Sequence, residues 1–184
     1  MAIPAFDGIL NVLPPHSGDP TNPSDLSPYH CTLVEICRRF NTSPARRKIL
    51  LGLLNLRAEL YSLGYQGFQW LSGSFVEDIE AYAQRDPRDV DAITIAKVPG
   101  LQTVKSHIMS RPDLFVPDQT KAKYLVDHYV VSLDSPTLEI LYTTKYWYAL
   151  FSHRRDSAWK GMLSVDLIDK NDDDAARSIL GVHP

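Results

Sequence analysis

The chain has 184 residues, 44% hydrophobic and 22% charged, with 19 Lys plus Arg against 22 Asp plus Glu and a formal net charge of −3. These are values of an ordinary globular chain. They exclude disorder of the whole chain and a generally basic nucleic-acid coat, while leaving room for a local cationic patch.

No run approaches the ~20 apolar residues that a bilayer-spanning helix needs. The N-terminus (Met1 to Asp7) lacks the positive start and long apolar stretch of a signal peptide. Cys31 and Cys37 are too few for a disulfide framework. Six residues apart on an expected helix, they face different ways and read as buried, reduced thiols of a cytoplasmic protein.

Six of the 13 prolines fall within the first 28 residues, so residues 1–26 are expected to form an irregular arm. Phe6, Ile9, Leu10, Val12 and Leu13 give that arm an apolar side to pack on the body. Residues 27–184 read as one domain, with a helical extension over 27–64 and a core over 65–184.

Ser27 followed by Pro28 predicts a first helix start. Ser43 and Pro44 predict a second, with Ile49, Leu50, Leu53, Leu54, Leu56, Leu60 and Leu63 at helical spacing and Gly64 as the stop. Arg46, Arg47 and Lys48 occupy the first turn of this helix, the unfavourable end for cations. They face an anionic ligand, an acidic neighbour or solvent.

Strands are expected over Gly67 to Ser72 and Val90 to Ala96, and a helix over Pro99 to Ser110. Tyr124 to Leu133 is the strongest strand signal in the chain. A helix capped by Ser135 follows to Ser152, with Ile140, Leu141, Tyr148 and Phe151 on its apolar side. A strand over Gly161 to Ile168 and a helix over Asp172 to Leu180 close the chain, the acids Asp172 to Asp174 capping that helix. The fold class is α+β (α/β mixed): two leading helices, then a small mixed sheet flanked by helices.

Three features carry chemistry. Gly73-Ser74 directly follows a strand, and its small side chains and backbone amides suit a phosphate cradle. Asp89 and Asp91 open the next strand and point to one face, about 6.5–7 Å apart along the backbone. Asp127 lies within an apolar strand, where an unpartnered carboxylate is costly. If the two strands are neighbours, the three acids make one cradle of oxygen ligands suited to Mg²⁺. That is the kit of a two-metal phosphoryl-transfer site, with Asp127 as a ligand and general base. The six histidines show no zinc spacing, and His128, alternating with Asp127, is expected to face the core. His153, Arg154 and Arg155 form, with Lys160, a cationic cluster that faces phosphate or solvent. There is neither a Walker loop nor a dinucleotide fingerprint.

The order Gly-Ser, Asp-x-Asp and a lone strand Asp resembles the nucleotidyltransferase superfamily related to DNA polymerase beta. More closely, the chain is similar to an uncharacterised bacterial family of small nucleotidyltransferase-like proteins, a domain of unknown function. The resemblance is carried by IPAFD and LPP in the arm, RRFNTSPARRKILLGL from Arg38, GSFVE from Gly73, PRDVDAI from Pro87 and DHYVV from Asp127. It implies a nucleotidyltransferase-like fold and transfer of a nucleoside monophosphate from a nucleoside triphosphate to a hydroxyl of a protein or RNA acceptor. The cofactor implied is Mg²⁺ or Mn²⁺, bound by Asp89, Asp91 and Asp127, with Gly73 and Ser74 at the triphosphate. Lys160 becomes either a phosphate or acceptor contact or a plain surface lysine. Family analogy adds a toxin–antitoxin or phage-defence setting, with a cognate toxin or antitoxin as partner. The alternative is a catalytically silent module of the same fold that binds nucleotide or neutralises a partner. Fourteen residues separate Ser74 from Asp89, longer than the resemblance leads one to expect; they form a loop over the site or a short helix.

Overall fold

Thr32, not Ser27, starts the first helix. In the computed structural model, which describes residues 3–100 and 103–182, the Thr32 hydroxyl accepts from the Glu35 amide. The Glu35 carboxylate accepts from the Thr32 amide in return. This reciprocal box satisfies two orphan donors at once, and α1 spans Leu33–Phe40. The residues after Ser27 go instead into a short strand, β1 (Tyr29–His30), drawn out of helical geometry by pairing within the sheet.

The second start is where the sequence places it. The Ser43 hydroxyl accepts from the Arg46 amide, Pro44 opens α2 (Pro44–Ser62), and Gly64 at φ +86° ends it. There follow β2 (Gln66–Ser72), α3 (Ile79–Ala83), β3 (Val90–Lys97), α4 (Val104–Ser110), α5 (Pro112–Phe115) and α6 (Pro117–Tyr124). Then come β4 (Val126–Ser132), α7 (Thr137–Phe151), β5 (Leu163–Leu167) and α8 (Lys170–Ile179). The helix expected from Pro99 begins only at Val104, because Thr103 supplies its cap and Gly100 sits at φ +67°. Leu101 and Gln102, within that expectation, lie outside the described residues.

The five strands form one mixed sheet in the order β1-β5-β2-β3-β4. β2 runs antiparallel to both β3 and β5, and β3 runs parallel to β4. Strand alternation sorts the side chains. Val90, Ala92 and Ala96, with Val126, Leu71, Leu163, Val165 and Leu167, face the main core against α1, α2 and α8. Ile93, Ile95, Val131 and the flanking Phe68, Trp70 and Tyr129 face a smaller cluster closed by Phe151 and Trp147 of α7.

A buried polar chain crosses the main-core side of the sheet. Arg57, fully buried, forks onto Asp173 of α8 at 2.7 Å through both Nε and Nη2, and its Nη1 donates to Gln69. Gln69 donates to Thr94, which lies 2.8 Å from His128 Nε2. His128 Nδ1 is 2.7 Å from the Leu114 carbonyl. A carbonyl only accepts, so Nδ1 carries the proton and Nε2 accepts from Thr94. Burial holds the imidazole down at about 4; it faces the core, as alternation from Asp127 requires.

Three local expectations change. The cap of α8 is Asp169, whose carboxylate accepts from Asn171. Asp172 instead accepts from the Leu33 and Val34 amides, across the molecule at the start of α1. Asp173 is taken by Arg57. In α7 the first-cap position belongs to Pro136, with no side-chain cap, and the Ser135 amide closes the preceding turn on the Ser132 carbonyl. Leu141 is 60% exposed and Tyr148 37%: α7 covers only one end of its sheet face, so Phe151 alone is buried on it.

The arm lies on the body. Leu13 and Val12 are buried, the Phe6 ring lies tilted beside Phe40, and the Leu13 carbonyl accepts from the Gly161 amide. Cys31 and Cys37 are buried and unbridged, their thiols pushed up to about 12, chiefly by burial. Among the described residues no helix is long and apolar enough to cross a membrane.

Candidate functional site

The site is built on the open end of the sheet face that α7 covers. Parallel pairing of β3 with β4 sets Asp91 directly opposite Asp127, and antiparallel pairing of β2 sets Ser72 opposite Asp91 on the other side. Asp89, one residue before β3, shares Asp91's face by the same alternation.

Directly after Ser72 the chain turns at Gly73, at φ +79° and ψ −170°. Only glycine adopts this conformation without strain. Space demands it as well: a Cβ there would lie 2.8 Å from the Asp91 carboxylate. The Gly-Ser turn is thus packed on the middle acid of the cradle, and a tight turn over Ser74–Val76 follows.

Two buried cations fix that turn. Arg46, which the sequence left facing ligand, acid or solvent, is 2% exposed. It donates to the Phe75 and Glu77 carbonyls at 2.7 Å and forks onto Glu80. Lys160 is no surface lysine: it is 4% exposed, its ammonium 2.5 Å from Glu77 Oε1 and 3.2 Å from the Gly73 carbonyl. Tyr82 donates to the second oxygen of Glu77. The segment between Ser74 and Asp89 therefore contains a short helix, α3, and also brings Tyr82 and Arg85 to the site.

Gly73, Ser74, Asp89, Asp91, Asp127 and Lys160 all line one cavity of about 670 Å³. This is within the range of small-molecule sites. The three acids and the Gly-Ser turn lie together in its lining. Tyr129, Tyr146 and Trp147 add aromatic surface, and Arg88, Arg154 and Arg155 add cationic charge. Of the expected cationic cluster, Arg154 is held by Asp156 and lies over the Tyr82 ring, and Lys160 is committed to Glu77.

Burial and crowding of like charge together set the electrostatics. Burial first, and then the charges of Asp89 and Asp127, push the Asp91 carboxyl up to about 6. Tyr129 is pushed up to about 12, by burial and then by Asp127. One residue that the sequence did not single out partly relieves the crowding. Lys121 of α6 places its ammonium 2.6 Å from Asp89 and 3.9 Å from Asp127, and the contact with Asp89 raises its own pKa. No motif marks Lys121; only the packing of α6 beside β4 carries it there. Glu77 was legible as the end of GSFVE but not as the partner of Lys160.

The donor set suits a hard divalent cation. It is all oxygen, it concentrates negative charge, and Asp127 Oδ1 is buried without a hydrogen-bond partner. Among the described residues, however, no three such side chains are already drawn into a metal-holding cluster. The ammonium of Lys121 lies against two of the three acids.

Residues 4–166 match a family of unknown function, DUF6932, a span that includes every residue of the site. No curated protein and no solved structure matches the chain. The family match attaches no chemistry and indicates no membership of the nucleotidyltransferase superfamily.

Proposed function

The chain belongs to the family of unknown function DUF6932, and from its site we propose that it is a Mg²⁺-dependent nucleotidyltransferase. It moves a nucleoside monophosphate from a nucleoside triphosphate to a hydroxyl on a protein or RNA acceptor. One observation carries the reading: Asp91 and Asp127 stand in register on adjacent parallel strands, with Gly73 packed on Asp91 and Asp89 in the same cavity.

In this reading Asp89, Asp91 and Asp127 hold the metal, which would supply charge neutralisation at the phosphates and a more acidic acceptor hydroxyl. The Gly73-Ser74 turn receives the triphosphate, its position set by Arg46 and Lys160. Arg88 and Arg155 add positive charge toward the phosphates. Asp127 takes the proton as the acceptor oxygen bonds to the α-phosphorus. The bond from that phosphorus to the bridging oxygen breaks, and pyrophosphate leaves with the electron pair. Tyr146 and Trp147 offer rings against which a base can stack.

The test is incubation with α-labelled nucleoside triphosphates, Mg²⁺ and offered proteins or RNA, comparing wild type with the Asp89→Ala plus Asp91→Ala variant. Label transfer by wild type alone supports the enzyme. One observation favours the second reading, a catalytically silent nucleotide-binding module: the Lys121 ammonium on Asp89 and Asp127. Nucleotide binding without transfer to any acceptor would select it.

A further inference from the structure

Three carboxylates converge on one end of the sheet face, and the counter-charge nearest two of them comes from the chain itself. We propose that Lys121 is a tethered cation that shares its place with the divalent ion: its ammonium sits on the Asp89–Asp127 side of the cradle and must swing out before metal loads there. This rests on the metal-binding reading of the three acids given above.

The geometry separates a displaceable ammonium from a permanent one. Lys121 contacts Asp89 closely at 2.6 Å but stands 3.9 Å from Asp127, and it leaves Asp127 Oδ1 buried and unpartnered. A cradle completed by its lysine would have no orphaned oxygen. The Lys121 side chain is 47% exposed, so its head can return to water along a flexible four-carbon stem. Lys160 offers the contrast: 4% exposed and locked on Glu77, it cannot leave. The other lysine of α6's last turn, Lys123, is drawn to Asp113 at 2.8 Å, so the role falls to one position on the helix.

An ammonium brings one positive charge and no coordination sphere, whereas a divalent ion brings two charges and binds carboxylate oxygens directly. Lys121 thus keeps the acids tolerable to one another in the empty protein while competing with the ion. Removing it takes away the competitor.

The measurement is Mn²⁺ binding alone, without nucleotide, read from the electron paramagnetic resonance signal of the free ion. The full chain is used as wild type, Lys121→Gln and Lys123→Gln. Lys121→Gln is expected to bind Mn²⁺ about 3- to 10-fold more tightly than wild type, and Lys123→Gln to match wild type. If wild type binds and Lys121→Gln binds no more tightly, the competition is refuted and the metal reading survives. Equal tightening in both variants also refutes it, because the gain is then only net charge. If none of the three binds Mn²⁺, the metal reading fails and this inference with it.

Discussion

Asp91 faces Asp127 across two parallel strands in direct register, and Gly73 closes on Asp91 from the antiparallel side. Every expected property of the site follows from that placement. The ladder of backbone hydrogen bonds fixes the Cα atoms of the two acids opposite each other, which keeps their carboxylates neighbours on one face. They must be protonated, share a cation, or lower the stability of the fold.

That conflict has a pH signature in protein kept free of metal. The Asp91 carboxyl is raised to about 6, above its unfolded value, so the native state holds more protons between about pH 4 and 6. Stability is therefore lost as pH rises through that window. Asp91→Asn should stabilise the metal-free fold at pH 7 by on the order of 1–3 kcal/mol, with the gain vanishing below about pH 4. His128, held down at about 4, has the opposite slope, losing stability as pH falls from about 6.5 toward 4. The difference between variant and wild-type urea curves isolates Asp91, and a gain independent of pH would contradict the assignment.

Gly73→Ala tests the turn. The residue sits at φ +79°, and the added carbon meets the Asp91 carboxylate at 2.8 Å. We expect a loss of about 1–3 kcal/mol in thermal unfolding and a larger relative loss of nucleotide binding than of stability. A variant that unfolds and binds like wild type would show that the turn has room to adapt.

The Lys160–Glu77 pair should behave as a unit. Both side chains are at most 4% exposed, so removing one strands a buried charge. Lys160→Met alone is expected to cost about 3–5 kcal/mol. Adding Glu77→Gln to it should recover part of that loss, a coupling that a double-mutant cycle in urea measures directly. Simple additivity would argue against the pair.

Arg57 anchors the opposite side of the sheet. Fully buried and forked onto Asp173, it joins α2 to α8 and reaches Gln69. Arg57→Met should destabilise by about 3–5 kcal/mol without changing the affinity for Mn²⁺, because the network lies on the face away from the acids. Loss of Mn²⁺ binding in folded Arg57→Met would mean that the two faces are coupled.

Much of this was legible in the chain. Ser43-Pro44 and Gly64 bound α2 because capping and φ preference act within a few residues. Alternation put Asp89 and Asp91 on one face of their strand, and Asp127 and His128 on opposite faces of theirs, because the strand period is local. That β3 pairs with β4 in register, bringing Asp91 and Asp127 together, came only with the fold. The start of α1 was missed: Ser27-Pro28 and Thr32 with Glu35 are both good starts, and strand pairing of Tyr29 and His30 chose between them. Asp172 was assigned to its own helix, yet it reaches the amides of Leu33 and Val34.

The three acids, the Gly-Ser turn and the mixed α+β class are properties of the sequence, since each depends on residue type and short spacing. The −3 charge averaged over them. Only the tertiary structure decided where the cations go: Arg46 and Lys160 beneath the turn, Arg57 in the core, Lys121 on the acids. Ion pairing is governed by distance in space, and no periodicity in the chain encodes which of 19 basic side chains ends within 3 Å of a carboxylate.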